Sequence, residues 1–117
     1  MGTTMTTPEL SFAEIEKARE RLDGHIRNTP CMQSKTLSAM LGCAVYLKME
    51  NLQFTSSFKE RGALNCLAAR EAELGGGVVA MSAGNHAQAL AYHGRRMGIA
   101  TTIVMPRHTP NAKVEAT

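Results

Sequence analysis

The chain has 117 residues, 44% of them apolar and 20% charged, enough for one globular core and unlike a disordered chain. Thirteen basic residues against ten acidic give a net charge of +3, but Arg95-Arg96 is the one adjacent basic pair and aromatic content is 4%, so no nucleic-acid partner is expected. No apolar run approaches the ~20 residues that span a bilayer, and three cysteines without a C-x-x-C pair or a secretory leader read as free thiols, so a cytoplasmic protein with no membrane partner is expected.

Residues 1–8 read as a flexible tail, although Gly2 and Thr6 fit a short myristoylation pattern. Ser11 followed by Glu14 forms a capping box, and Phe12, Ile15, Ala18 and Leu22 recur at helical spacing until Gly24. "SKTLSAMLG" predicts a short second helix between Ser34 and Gly42. "AVYLKME" alternates in the manner of a strand. Ser57 and Glu60 then read as a second capping box, opening a helix that runs through "RGALNCLAAREAEL" with Lys59 at its second position. Cys66, in that helix, is expected to be buried.

Gly75 to Gly77 close this helix, "VVAMS" follows as a short buried strand, and "AGN" turns into the helix "HAQALAYHGRRMG". "ATTIVMP" is the next strand, and Pro110 opens a last helix. Helices alternating with short apolar strands predict an α/β fold, a parallel sheet with crossover helices. The eight methionines read as core filling. His86 and His93 stand two helical turns apart, too far for one metal without other ligands, and no metal site is expected.

A lysine in the first turn of a helix faces the partial positive charge of unpaired amides. Partial burial against Phe58 would favour its neutral amine further, the form that attacks an aldehyde. The same residue also fits a solvated surface lysine beside routine capping. The second polar turn, "MSAGNHAQ", brings free amides to the carboxyl end of a strand, where small anions bind. Ser82, Asn85, His86 and Gln88 add side-chain donors, and Gly84 allows close backbone approach. A structural strand-to-helix connection capped by Asn85 looks alike. Together the two motifs suggest a covalent carbonyl cofactor beside a carboxylate site.

"MENLQFTSSFKERGALN" followed by "SAGNHAQ" resembles the motif pair of the tryptophan-synthase-β-like, fold type II pyridoxal-phosphate enzymes, and most of all the threonine (serine) dehydratases. The resemblance runs from "RNTP" through "IVMPRHTPNAKVEAT", nearly the whole chain. It implies pyridoxal 5'-phosphate as cofactor, with Lys59 as its covalent attachment and the base at the substrate Cα, and Phe58 packed on the pyridine ring. It implies that Asn85 bonds the cofactor's 3-oxygen and that Ser82, Ala83, Gly84, Asn85 and His86, with Gln88, hold the substrate carboxylate.

The implied reaction is dehydration and deamination of L-threonine or L-serine to a 2-oxo acid and ammonia, in amino-acid metabolism such as isoleucine biosynthesis. A serine racemase-like or other β-elimination enzyme is the alternative. In serine racemases a second serine stands where this chain has Ala83, which has no proton to give, so dehydration is favoured. The resemblance also implies residues 9–51 as the N-terminal part of a large domain, 52–117 as the start of an incomplete small domain, and a homo-oligomer in the full-length enzyme. The family's phosphate loop is expected beyond Thr117, which leaves a reading of another class open: a non-catalytic fragment or subunit completed by a partner. One departure stands in the motif: Ser56 replaces the family's usual glycine, a constraint if the position needs positive φ.

Overall fold

The computed structural model describes residues 10–117, so the expected tail and the Gly2–Thr6 pattern lie outside the described residues. The element order is α1 (Phe12–Leu22), β1 (Cys31–Gln33), α2 (Lys35–Leu41), β2 (Tyr46–Lys48), α3 (Lys59–Ala69), β3 (Val78–Met81), α4 (Asn85–Arg96), β4 (Thr101–Val104) and α5 (Asn111–Glu115). The Ser11 hydroxyl accepts from the Glu14 amide at 3.3 Å, and Gly24, at φ +70, ends the first helix as its sequence position predicts. Ser34 caps α2 in the same way and Gly42 closes it.

β3 and β4 pair in parallel, Val78 opposite Thr101 and Met81 opposite Val104, with α4 as the crossover. This is the α/β arrangement that the alternation predicts. A second pairing was not legible: β1 and β2 run antiparallel, Met32 opposite Leu47. β1 follows Pro30 and has only three residues, too short for a period-2 signal.

The core lies where α3 packs on α4, around Ala63, Leu64 and Leu67 of one helix and Ala87, Ala89 and Leu90 of the other. Alanines bring the two backbones close, and each buried leucine contributes roughly 2 kcal/mol. α1 joins through Leu22 and through Arg21, whose Nε donates to Asn65 Oδ1 at 2.7 Å. The other residues of its predicted stripe stay largely outside, Phe12 being 74% exposed.

Several expectations of burial fail. β3 is open on one face, with Val79 and Met81 at 73% and 82% exposure, because α4 lies against one side of the parallel pair and no described element covers the other. Met32 and Met40 are exposed as well, so the methionines are not uniformly core filling. Cys66 is exposed, as are Cys31 and Cys43. It lies on the side of α3 turned away from Ala63, Leu64 and Leu67.

α3 is also shorter than predicted. It ends at Ala69, and a 3₁₀ turn over Glu71–Glu73 tightens the chain toward Gly77, which must reach Ala100. Among the described residues no helix is long and apolar enough to cross a membrane.

Candidate active site

The segment from Met49 to Lys59 is fastened by buried polar groups before it reaches the lysine. Glu50 accepts from Arg61 through two bonds of 2.8 Å and from the Thr29 hydroxyl at 2.6 Å. The Arg61 guanidinium beside it, against the cost of burial, holds the Glu50 carboxyl down to about 2, with Thr29 and Gln53 helping. Glu50 in turn raises Arg61. Gln53, almost wholly buried, takes the Arg27 amide on Oε1 and gives Nε2–H to the Arg27 carbonyl, each at 3.0 Å. "RNTP" and "ENLQ" are thereby clamped together. Arg27 lies 4.4 Å over the Phe54 ring, which stacks on Tyr92 of α4 at 5.6 Å.

The turn then tightens: the Ser56 amide donates to the Gln53 carbonyl at 3.0 Å with Ser56 at φ +56, the one non-glycine residue with positive φ among those described. This is the left-handed geometry that glycine adopts without steric cost. Ser56→Gly is accordingly expected to raise stability by about 0.5–1 kcal/mol, the relieved strain exceeding glycine's extra unfolded-state entropy. Urea midpoints compare the two chains, and a lowered midpoint in the variant would contradict the strain.

The second capping box does not form as predicted. Lys59 is the first helical residue, with Phe58 in the cap position, and the buried Ser57 hydroxyl accepts from the Lys59 amide at 3.2 Å. Glu60, fully buried, reaches back past Ser57 so that its Oε1 accepts from the Thr55 amide. The reading failed because a capping glutamate sits in solvent, whereas here α4 covers it. Lys59 is exposed, its Nζ 5.0 Å over the ring of Phe58, itself 59% exposed; the expected burial of the lysine against that ring is absent.

The other motif lies at the carboxyl end of β3. Ser82 hydrogen-bonds through its amide to Val104 and accepts from the Gly84 amide at 3.3 Å, shaping the turn into α4. The Gln88 amide bonds the Gly84 carbonyl, and those of Asn85, His86 and Ala87, ahead of it, have no partner among the described residues. Ser82, Ala83, Gly84 and Gln88 are partly buried, while Asn85 and His86 are exposed. Gln88 also lines a cavity of about 430 Å³ between the Phe54–Ser56 turn and Tyr92 and Arg95 of α4. The α3–α4 packing thus carries both motifs on one rigid pair of helices. His86 and His93 do not share a surface: His93 is fully buried against α3.

A family model described as "Pyridoxal-phosphate dependent enzyme" matches residues 22–117. The chain belongs to the pyridoxal-phosphate-dependent enzyme family. An L-threo-3-hydroxyaspartate ammonia-lyase from Pseudomonas sp is 50% identical over 108 residues, covering 92% of this chain and 34% of the relative. An L-threonine ammonia-lyase from Thermotoga maritima is 46% identical over 109 residues, again 92% of this chain and 27% of the relative. Among solved structures, serine racemase from Dictyostelium discoideum superposes with a TM-score of 0.85 at 38% identity, over 92% of this chain and 36% of that one. The fold is therefore that of the type II enzymes of this family, and the chain spans about a third of the length of the relatives it matches.

The residues present fit the family's cofactor. Lys59 offers an accessible amine for its aldehyde, Phe58 a flat apolar face, and the start of α4 a set of free donors. Gly75 to Gly77 do not end α3, which stops at Ala69; Gly77 instead closes the connection into β3 against Ala100. Sequence reasoning missed the Glu50–Arg61–Thr29–Gln53 clamp and the burial of Glu60 and His93. A signal existed for the second pair: Glu60 and His93 both fall on the helix faces that Leu64, Leu67, Ala89 and Leu90 mark as inward.

Proposed function

We propose that this chain supplies the lysine and the carboxylate-binding turn of an ammonia-lyase that eliminates water from a β-hydroxy-α-amino acid, L-threonine or L-serine first. Bound pyridoxal phosphate supplies an electron sink for the charge left when the Cα proton departs. Lys59 would hold the cofactor through its side-chain amine, and that amine, when not bonded to it, would take the Cα proton on Nζ. Phe58 would flank the cofactor's pyridine ring and Asn85 would donate to its 3-oxygen. The amides and side chains from Ser82 to His86, with Gln88, hold the substrate carboxylate.

The observation that carries elimination over racemisation is Ala83. It sits in that turn with a methyl group, where the resemblance to serine racemases places the serine that serves the Cα face opposite the lysine, so that acid is missing here. The named ammonia-lyase relatives support the same class, and hydroxyaspartate belongs to it chemically. Residues 9–51 and 52–117 are proposed as parts of the large and small domains, since the antiparallel and the parallel sheet fall on either side of that boundary. The open face of Val79, Met81 and Val104 favours a second reading, in which further polypeptide must cover the chain before it turns over substrate.

The test is borohydride reduction in the presence of pyridoxal phosphate, followed by peptide mapping. Lys59 is expected to carry at least tenfold more label than Lys17, Lys35, Lys48 or Lys113, and Lys59→Ala to lose it. Equal labelling of all five lysines would sink the assignment. In the full protein, ammonia release without inversion at Cα identifies the lyase, and inversion without ammonia the racemase.

A further inference from the structure

Three buried polar atoms in the described residues have no partner: Thr55 Oγ1, Glu60 Oε2 and His93 Nε2. Unsatisfied buried groups are rare, and these three belong to one cluster that joins the lysine-bearing turn to α4. Thr55 is tied to Glu60 through its amide. Glu60 Oε2 faces His93 Nε2 at 3.7 Å, just beyond hydrogen-bond reach, with both side chains fully buried. On the far side of the imidazole, Arg96 Nη1 approaches Nδ1 at 3.4 Å. Because a guanidinium can only donate, Nδ1 accepts and the neutral ring carries its proton on Nε2, pointed at Glu60.

We propose that Glu60 and His93 are positioning residues, a buried latch that holds the Thr55–Phe58 turn and through it sets the placement of Lys59. The assignment rests on the reading of Lys59 as the cofactor lysine. His93 Nε2–H faces the Glu60 carboxyl from 3.7 Å across the buried contact, Glu60 Oε1 accepts from the Thr55 amide, and Ser57 and Phe58 follow directly into Lys59. Nothing in elementary helix chemistry requires this arrangement: an apolar residue at position 60 would pack against α4 without it. The carboxyl is retained where it can anchor the strained turn at Ser56.

The latch responds to acid. Burial pushes His93 below its ordinary range, Glu60 opposing and Arg96 and His25 adding to the shift. Arg21 of α1 and Glu71 of the 3₁₀ turn after α3 line one cavity with His93, Tyr92 meets the ring edge-on, and Arg61 lies beside Glu60 in sequence. A buried state that binds the proton less readily than the opened state is stable above the ordinary histidine value of about 6.5 and opens as pH falls below it. One proton per opening limits the response to about tenfold per pH unit.

Two readouts on the full protein, neither of them turnover, decide it: hydrogen exchange at the Thr55 amide and the rate of pyridoxal-phosphate labelling at Lys59. Glu60→Leu is expected to speed Thr55 exchange at least tenfold and to slow labelling, while Glu60→Gln, which still offers an acceptor oxygen, restores most of the protection. In the unaltered protein Thr55 protection, corrected for intrinsic exchange, falls as pH drops from 6.5 to 5. His93→Gln, which keeps a donor but does not titrate, abolishes that fall. A packing role alone would change stability and leave the pH profile of Thr55 in place.

Unchanged Thr55 exchange in Glu60→Leu, or a pH profile that survives in His93→Gln, overturns the latch; should Glu60→Leu not fold, the His93→Gln profile decides. Failure of the unaltered protein to label at Lys59 overturns the cofactor reading instead, and Thr55 exchange still judges the latch.

Discussion

Replacing Arg61 with leucine is expected to lower stability by about 2 kcal/mol at neutral pH and to flatten the acid transition expected of the unaltered chain. Glu50, with its side chain 15% exposed, loses both guanidinium bonds and is left with Thr29 and Gln53 as partners. Breaking a buried pair on one side costs about 3–5 kcal/mol, and the 34% exposure of Arg61 lowers the figure through solvent screening. The Arg61 guanidinium holds the Glu50 carboxyl down to about 2 in the fold, against an ordinary 4.5. Because the folded value is depressed, the contribution is complete above pH 4.5 and is lost as pH falls toward 2. Urea midpoints measured from pH 7 down to 2.5 should decline steeply below 4.5 in the unaltered chain and more shallowly in Arg61→Leu. Parallel curves would show that Arg61 is not the group that holds Glu50. Since Arg61 sits two residues after Lys59, the arginine of the motif is thereby given a mechanical reason: it ties the first turn of α3 to the segment clamped by Thr29 and Gln53.

Gly77→Ala is expected to cost about 3 kcal/mol. Gly77 sits at φ +85, and an added Cβ would stand 2.6 Å from the Ala100 carbonyl oxygen. The left-handed backbone costs an L-residue roughly 1–2 kcal/mol, and the clash adds a comparable amount because the obstacle is backbone. That carbonyl also accepts from Val78 at 2.8 Å, the first bond of the β3–β4 ladder, so relief of the clash would unpair the strand that carries Ser82 to Gln88. Gly76→Ala, with nothing within 4 Å of its added Cβ, is the control and should shift the urea midpoint little. Equal midpoints for the two variants would mean that the close approach at Ala100 relaxes freely.

Much of this was legible in the residues. Ser11, Gly24, Ser34 and Gly42 mark helix ends correctly because capping is local chemistry, decided within four residues. The turn at Ser82–Asn85 and the strand before it were likewise visible in the passage from apolar run to small polar residues. Ser56 was flagged for replacing glycine, and its φ of +56 gives that flag a physical basis. Glu60 was misread because the same S-x-x-E spacing describes a solvated cap and a buried anchor, and only the neighbour decides which. β1 was missed because three residues carry no period, and its existence depends on β2 being brought opposite.

The sequence by itself therefore determined the family, the helix boundaries near their caps and the two polar turns, since each of these is written in contiguous residues. Tertiary structure decided the rest: that Glu60 and His93 are interior, that Glu50 and Arg61 bind one another, that Cys66 is exposed and that one face of β3 lies open. Those features depend on which surfaces meet. A carboxyl and an imidazole separated by most of two helices come within 3.7 Å only when α3 and α4 pack, and burial then changes what each side chain can do.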